Sequence, residues 1–157
     1  MSHESGTPVM VFAYTDDSCW PQRIGAADAP DLRLPAPRGR YDISVVSTDG
    51  SRCEQRGTLS GGAGAHVTSG VEAGVRQLRV TLHNLGDVPL TYRLTCGEFS
   101  FESTSTSFSV GPGMDRPVTW DLDRSYGWYD VVVTVDEDPS YRRRLTGHVR
   151  RGTSNTS

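Results

Sequence analysis

Polar and apolar residues alternate along most of the second half of the chain. Val88–Cys96 (VPLTYRLTC) places Val88, Leu90, Tyr92, Leu94 and Cys96 on one side with other residues between them, the two-residue period of a half-buried strand. Val75–Leu82 (VRQLRVTL) keeps most of the same spacing through Val75, Leu78, Val80 and Leu82. Ser107–Val110, Val118–Leu122, Trp128–Val135 and Tyr141–Val149 continue the series, each rich in aromatic or β-branched residues. Turn chemistry separates them: Asn84-Leu85-Gly86-Asp87, Gly111-Pro112-Gly113 and Asp136-Glu137-Asp138-Pro139. No window repeats apolar residues at helical spacing for long enough to predict a helix. Ala26–Asp31 has room for one short turn, and Pro30, Pro35 and Pro37 forbid more. Short strands at roughly ten-residue intervals predict an all-β fold, an antiparallel sandwich of the immunoglobulin-like kind.

A repeat refines this picture. Arg40-Tyr41-Asp42-Ile43-Ser44-Val45-Val46 returns as Trp128-Tyr129-Asp130-Val131-Val132-Val133-Thr134. Each copy runs into an acidic turn, Asp49-Gly50 or Asp136–Pro139, and then into a basic strand, Arg52–Arg56 before Gly57 or Arg142–Arg144 before Gly147. Pro8–Tyr14 aligns in the same way with Pro89–Thr95. The expected organisation is an incomplete first β unit over 1–60, a Gly-rich linker over 61–70, a complete second unit over 71–152 and a disordered tail over 153–157. The first unit has only Met1–Thr7 where the second has Val75–Leu82. Its edge near Pro8–Thr15 is therefore expected to be covered by a partner chain, by Val75–Leu82 crossing over, or by a rearranged loop; a dimer through that edge follows from the first case.

The repeated Tyr-Asp pairs, Tyr41-Asp42 and Tyr129-Asp130 with Trp128 before the second, read as scaffold. A Tyr opening a strand buries its ring while its hydroxyl reaches a backbone group, and the Asp on the opposite face binds a backbone N–H or an Arg. Trp120 and Trp128 read as core. Trp20, in the Ser18–Pro21 loop, reads as packing over the first unit or as a membrane-interface anchor.

Six features in order carry a family likeness: Asn84-Leu85-Gly86, Gly111-Pro112-Gly113, Val118-Thr119-Trp120, Gly127-Trp128-Tyr129-Asp130, Arg142–Leu145 and Gly147-His148-Val149. This string resembles the bacterial phospholipase C C-terminal domain, covering the second unit almost wholly and the later two-thirds of the first. The resemblance implies a β-sandwich module, typically in tandem, behind the catalytic domain of phosphocholine-type phospholipases C. It implies a non-catalytic role for this chain, with the catalytic phospholipase domain as partner in cis or in trans. The large metal-dependent catalytic domain and the export signal of that family have no counterpart here. Export as part of a full-length enzyme is what the resemblance implies, and the chain itself leaves localisation open.

Composition adds limits. The 157 residues include 16 basic and 19 acidic side chains for a net charge of −3, and every basic residue is Arg. A mildly acidic chain lacks the basic footprint of a dedicated nucleic-acid binder. The charge is uneven: five Arg and no acid beyond residue 141 give +5, and 11 Arg against 19 acids before it give −8. Arg142, Arg144, Arg150 and Arg151, with Trp20, are the candidate contacts to lipid headgroups, each basic residue near an anionic surface contributing about 1 kcal/mol. The competing reading is a solvated strand face, with Arg protecting an edge and pairing with acids beside it.

Other chemistry is sparse. His3, His66, His83 and His148 are far apart and lack the spacing of a metal site, so neither a metal nor any other cofactor is expected. Asp136-Glu137-Asp138 reads as a hairpin tip rather than a calcium loop, and Asp121 with Asp123 as a strand end. Ser60–Gly64 lacks the Lys-Ser/Thr end of a phosphate-binding loop. Cys96 is expected to be a buried thiol, and a Cys19–Cys53 bridge stays open. The function these residues support is an accessory module that serves a phospholipase C catalytic domain or a phospholipid surface. The alternative is a stand-alone immunoglobulin-like binding or adhesion module for a carbohydrate or protein partner.

Overall fold

A computed structural model describes residues 9–15, 19–24, 34, 36–59, 62–72, 74–97 and 105–150. Among the described residues there are eleven strands and one 3-10 turn (Pro37–Gly39): β1 Val9–Tyr14, β2 Cys19–Ile24, β3 Arg40–Ser47, β4 Arg52–Thr58, β5 Ala65–Glu72, β6 Gln77–Asn84, β7 Leu90–Cys96, β8 Ser105–Val110, β9 Asp115–Asp121, β10 Trp128–Val135 and β11 Asp138–His148. All pairings are antiparallel. They form an eight-stranded sheet in the order β2-β1-β3-β4-β11-β10-β7-β8 and a three-stranded sheet in the order β5-β6-β9. The expected all-β, sandwich-like architecture is present. The short turn expected at Ala26–Asp31 and the tail over 153–157 lie outside the described residues.

The two-residue period becomes the core. Leu78, Val80 and Leu82 of β6 face Leu90, Tyr92, Leu94 and Cys96 of β7, with Val131, Val133 and Val135 of β10 and Tyr141 and Leu145 of β11 in the same buried cluster. Fully burying such side chains contributes roughly 1.5–3 kcal/mol each. Tyr92 shows how a polar tip is accommodated: its hydroxyl donates to the His83 carbonyl and accepts the His66 N–H at 3.2 Å. Burial pushes its phenol up to about 12, so it stays a neutral hydroxyl.

The Asn84-Leu85-Gly86 turn is held by one buried amide. Asn84 Nδ2 donates to the carbonyls of Val88 (2.7 Å) and Val110 (2.9 Å), and Oδ1 accepts the Gly86 N–H at 2.9 Å. Gly86 is required because a Cβ there would stand 2.5 Å from the Ala63 carbonyl oxygen.

Several expectations change. Residues 65–72, inside and beyond the stretch read as linker, form β5, which pairs with β6 from Ala65↔Asn84 to Glu72↔Gln77. The exposed edge of β1 is covered locally, by β2, rather than by a crossing of Val75–Leu82. The first half adds four strands to the same sheet as β11 instead of closing a sandwich of its own among the described residues. A Cys19–Cys53 bridge is excluded by topology: β2 and β4 are three strand spacings apart, about 14 Å, beyond disulfide reach, and all three cysteines are thiols. Cys96 is buried, as expected. Trp120 packs against the core, whereas Trp128 is 48% exposed rather than core. Its ring lies against that of His148, 4.6 Å between centroids and tilted by 44°.

The repeated residues are used alike in both hairpins. Tyr41 lies over Gly57, directly opposite on β4, and Tyr129 over Gly147, directly opposite on β11; an added Cβ would meet either ring. Asp42 pairs with Arg56 at 2.9 Å, and Asp130 holds both Nε and Nη2 of Arg144 at 3.0 and 2.9 Å. The rings thus contact glycine, and the hydroxyl-to-backbone link expected of Tyr41 and Tyr129 is seen at Tyr92.

Losing the three Asn84 bonds, each worth about 1 kcal/mol, in a buried site predicts that Asn84→Ala lowers unfolding free energy by about 2–4 kcal/mol in urea titrations. A loss near zero would show that water replaces the amide.

Candidate functional site

The strand register decides which arginines are available. Arg142 and Arg144 point to the outer face of the eight-stranded sheet, and Tyr141, Arg143 and Leu145 to the buried one. β11 lies between β4 and β10, so its arginines do not protect an edge. Glu54 lies 3.0 Å from Arg52 and 3.5 Å from Arg142, while Asp130 holds Arg144. Arg142 and Arg144 therefore each face a carboxylate on a neighbouring strand, Arg142 sharing Glu54 with Arg52. Arg151 and the Trp20 side chain lie outside the described residues.

Arg150 is placed differently. It follows Val149, whose N–H donates to the Gly127 carbonyl at 2.8 Å, so it stands at the end of the sandwich where β9 turns into β10. That turn is pinned by Gly127 N–H to Leu122 O (2.8 Å) and Trp128 N–H to Ser125 O (3.0 Å). His148 Nε2 donates to the Tyr126 carbonyl at 3.0 Å. The β5–β6 turn lies alongside, since Leu122 N–H donates to Arg76 O at 2.9 Å.

This end carries an unusual surface. Tyr126 is 73% exposed, and Val75 and Trp128 are also exposed. Arg124 and Arg150 are exposed beside them, neither with a carboxylate partner among the described residues. Arg76 is 3.7 Å from Asp123, and its buried Nε has no acceptor among the described residues. Arg76 and Tyr126 both adopt left-handed backbone, at φ 48° and 54°, a conformation costly for residues other than glycine. Two aromatic rings and two unmatched guanidiniums are thus displayed on turns that the sandwich over-determines. Rings of this kind are amphipathic and suited to a headgroup layer. The sequence signal was the Arg124–Trp128 run (RSYGW), hidden by reading Trp128 as core.

A second cluster also escaped the sequence. His66 and His83 are opposite each other on β5 and β6, with ring centroids 5.5 Å apart. His83 Nε2 is 2.9 Å from Thr68 Oγ1, and its Nδ1 is 2.6 Å from Asp115 Oδ1. The histidines looked isolated because cross-strand neighbours are 17 positions apart in the chain, 66 against 83. The acidic hairpin tip is engaged in place: Asp136 pairs with Arg93 at 2.6 Å, Glu137 Oε2 accepts the Thr91 N–H, and Asp138 accepts from Ser140. Among the described residues no group of three or more His, Cys, Asp or Glu could hold a metal.

Residues 65–148 match the family model described as bacterial phospholipase C, C-terminal domain, from the first residue of β5 to the last of β11. The chain belongs to that family. It is 28% identical over 121 residues to the non-hemolytic phospholipase C of Burkholderia pseudomallei, covering 74% of this chain and 17% of that protein. It is 33% identical over 76 residues to the hemolytic phospholipase C of Pseudomonas aeruginosa, covering 48% of this chain and 10% of that protein. The chain therefore spans a small fraction of the length of the relatives it matches.

Desolvation first, then the charges of Arg143 and His83, holds the His66 imidazole below its ordinary value of 6.5. Its NMR titration midpoint is predicted to fall below 6.5 and to move part of the way back in His83→Gln. In stability terms, the unfolded chain protonates more readily, so His66 removes stability as pH falls below 6.5. A midpoint above 6.5 would contradict the packing described.

Proposed function

We propose that this chain is a non-catalytic accessory module of a phosphocholine-hydrolysing phospholipase C, and that it holds its catalytic partner domain, in cis or in trans, at a phospholipid surface. The observation that carries the surface role is the exposed Tyr126–Trp128 corner flanked by Arg124 and Arg150. Ring insertion at the headgroup layer and about 1 kcal/mol from each nearby basic residue add to a reversible attachment. Support for the module reading comes from the family match, which coincides with a sandwich of four and three strands, the strand count of an immunoglobulin constant-type fold. The shared use of Tyr, Gly, Asp and Arg in both hairpins supports two related units, the first showing strands of one sheet among the described residues.

The test is sedimentation with mixed phosphatidylcholine and phosphatidylglycerol vesicles at low salt. The expected result is binding that weakens with salt and falls several-fold in Trp128→Ala and in Tyr126→Gly. Tyr126→Gly suits the left-handed backbone and is expected to keep or raise stability. Arg142→Gln, altering a residue already paired with Glu54, is expected to bind vesicles like the parent. Vesicle binding indifferent to both aromatic substitutions would remove this corner from the account. The same protein is expected to release no phosphocholine from the vesicles. Release abolished by His83→Ala would make the Thr68–His83–Asp115 chain a hydrolytic centre and overturn the non-catalytic reading.

A further inference from the structure

A separate site arises where the first hairpin meets the second. A cleft of about 540 Å³ is lined by Arg38, Arg40 and Arg56, with Asp42 as the one carboxylate among the described lining residues. Both halves of the chain contribute, because Thr58 of β4 and Ser140 of β11 also line it, their hydroxyl oxygens 3.3 Å apart. Tyr14 and Tyr41 complete the walls.

The charge in this cleft is unbalanced. Arg56 Nε is 2.9 Å from Asp42 Oδ2, which matches one guanidinium. Arg38 and Arg40 are exposed and have no carboxylate partner among the described residues, so the described lining residues carry a formal excess of two positive charges. The backbone presenting them is constrained. Arg38 has φ 56° and ψ 27°, and Gly39 follows at φ 72°, so two successive residues are left-handed, a state glycine accepts freely and arginine does not. The turn is closed by Gly39 N–H to Ala36 O at 3.0 Å and Leu59 N–H to Gly39 O at 2.7 Å. Strained backbone of this kind persists where surrounding structure fixes it, and here it brings two unmatched guanidiniums to one concave surface.

We propose that this cleft binds a phosphomonoester group. A phosphomonoester carries about −1.5 to −2 charges near neutral pH, which matches the excess of two; a carboxylate or a phosphodiester carries one and would leave a guanidinium uncompensated. Planar guanidinium forks bind phosphate oxygens in pairs. The Ser140 hydroxyl already donates to Asp138 and the Thr58 hydroxyl lies against it, so the guanidiniums supply the donors, and the two tyrosines offer a surface for the organic part of the ester. The same chemistry occurs in a free ester and in the headgroup of phosphatidic acid. This site is independent of the Tyr126–Trp128 corner.

Titration of the chain with glycerol 3-phosphate, followed by the Arg side-chain Nε–H signals in NMR, tests the site. The expected result is saturable binding that moves the Arg38 and Arg40 signals. It should weaken at least tenfold in the double variant Arg38→Gly with Arg40→Gln, and stay unchanged in Trp128→Ala. Glycine suits the backbone at position 38, so this variant is expected to fold, which urea unfolding checks. Displacement of the chain from phosphatidic acid vesicles by glycerol 3-phosphate assigns the lipid headgroup as the source. Saturable binding of the ester with no such displacement assigns a free ester. Absence of saturable binding, equal binding by a folded double variant, or equal affinity for acetate would overturn the proposal.

Discussion

The pairing of β4 with β11 is the constraint on which the rest of the molecule depends. Five residue pairs, from Arg142↔Arg56 to Thr146↔Arg52, make one sheet of what would otherwise be a hairpin pair beside a sandwich. The seam places Arg56 and Arg142 directly opposite each other, a repulsive arrangement on a strand pair. Asp42 and Glu54 offset it, the first pairing with Arg56 and the second with Arg142. The same seam converts β11 from an exposed edge to an interior strand, which removes an unpaired row of backbone groups.

Two consequences of that seam bear on function. The outward arginines of β4 and β11 become partners of acids on β3, β4 and β10, so the basic excess of the C-terminal region is largely internal to the sheet surface. Among the described residues, exposed guanidiniums without a carboxylate partner remain at the Arg38–Arg40 turn and at the Arg124–Arg150 end, as well as at Arg79 and Arg116 of the three-stranded sheet. Exposed pairs of this sort contribute little to stability individually, about 0–1 kcal/mol. Their effect here is to decide where the surface keeps unpaired positive charge, the feature on which the proposed anion and headgroup contacts rest.

The second half was legible because its strands are buried on one face, which writes a period of two into β6, β7 and β10. The N-x-G motif was legible as a turn, though not that Asn84 was its buried clamp. β5 was missed because Ser69, Gly70 and Glu72 interrupt the apolar pattern and Gly-rich residues precede it; its strand identity comes from pairing with β6. β2, with Pro21 in its middle, lies at a sheet edge, where proline is tolerated. The Tyr-Asp repeat left a backbone N–H or an Arg as the partner of each Asp, and the structure pairs both with Arg, but the Tyr–Gly contacts needed the cross-strand register. The candidate site was the least legible part. Trp128 belongs to a strand whose other apolar residues are core, and only its place at the strand's start leaves it exposed beside Tyr126. The histidine pair and the arginine cleft depend on long-range strand pairing, which no local pattern records.

Amide hydrogen exchange across the β4–β11 seam tests this account most directly. If the two hairpins form one sheet, the amides of Cys53 and Gln55 in β4 will show protection within about tenfold of those of Arg143 and Leu145 in β11, and both strands will lose it together as denaturant rises. Exchange of β4 many orders of magnitude faster than β11, with β11 unaffected, would show a loosely tethered first half and contradict the single-sheet structure.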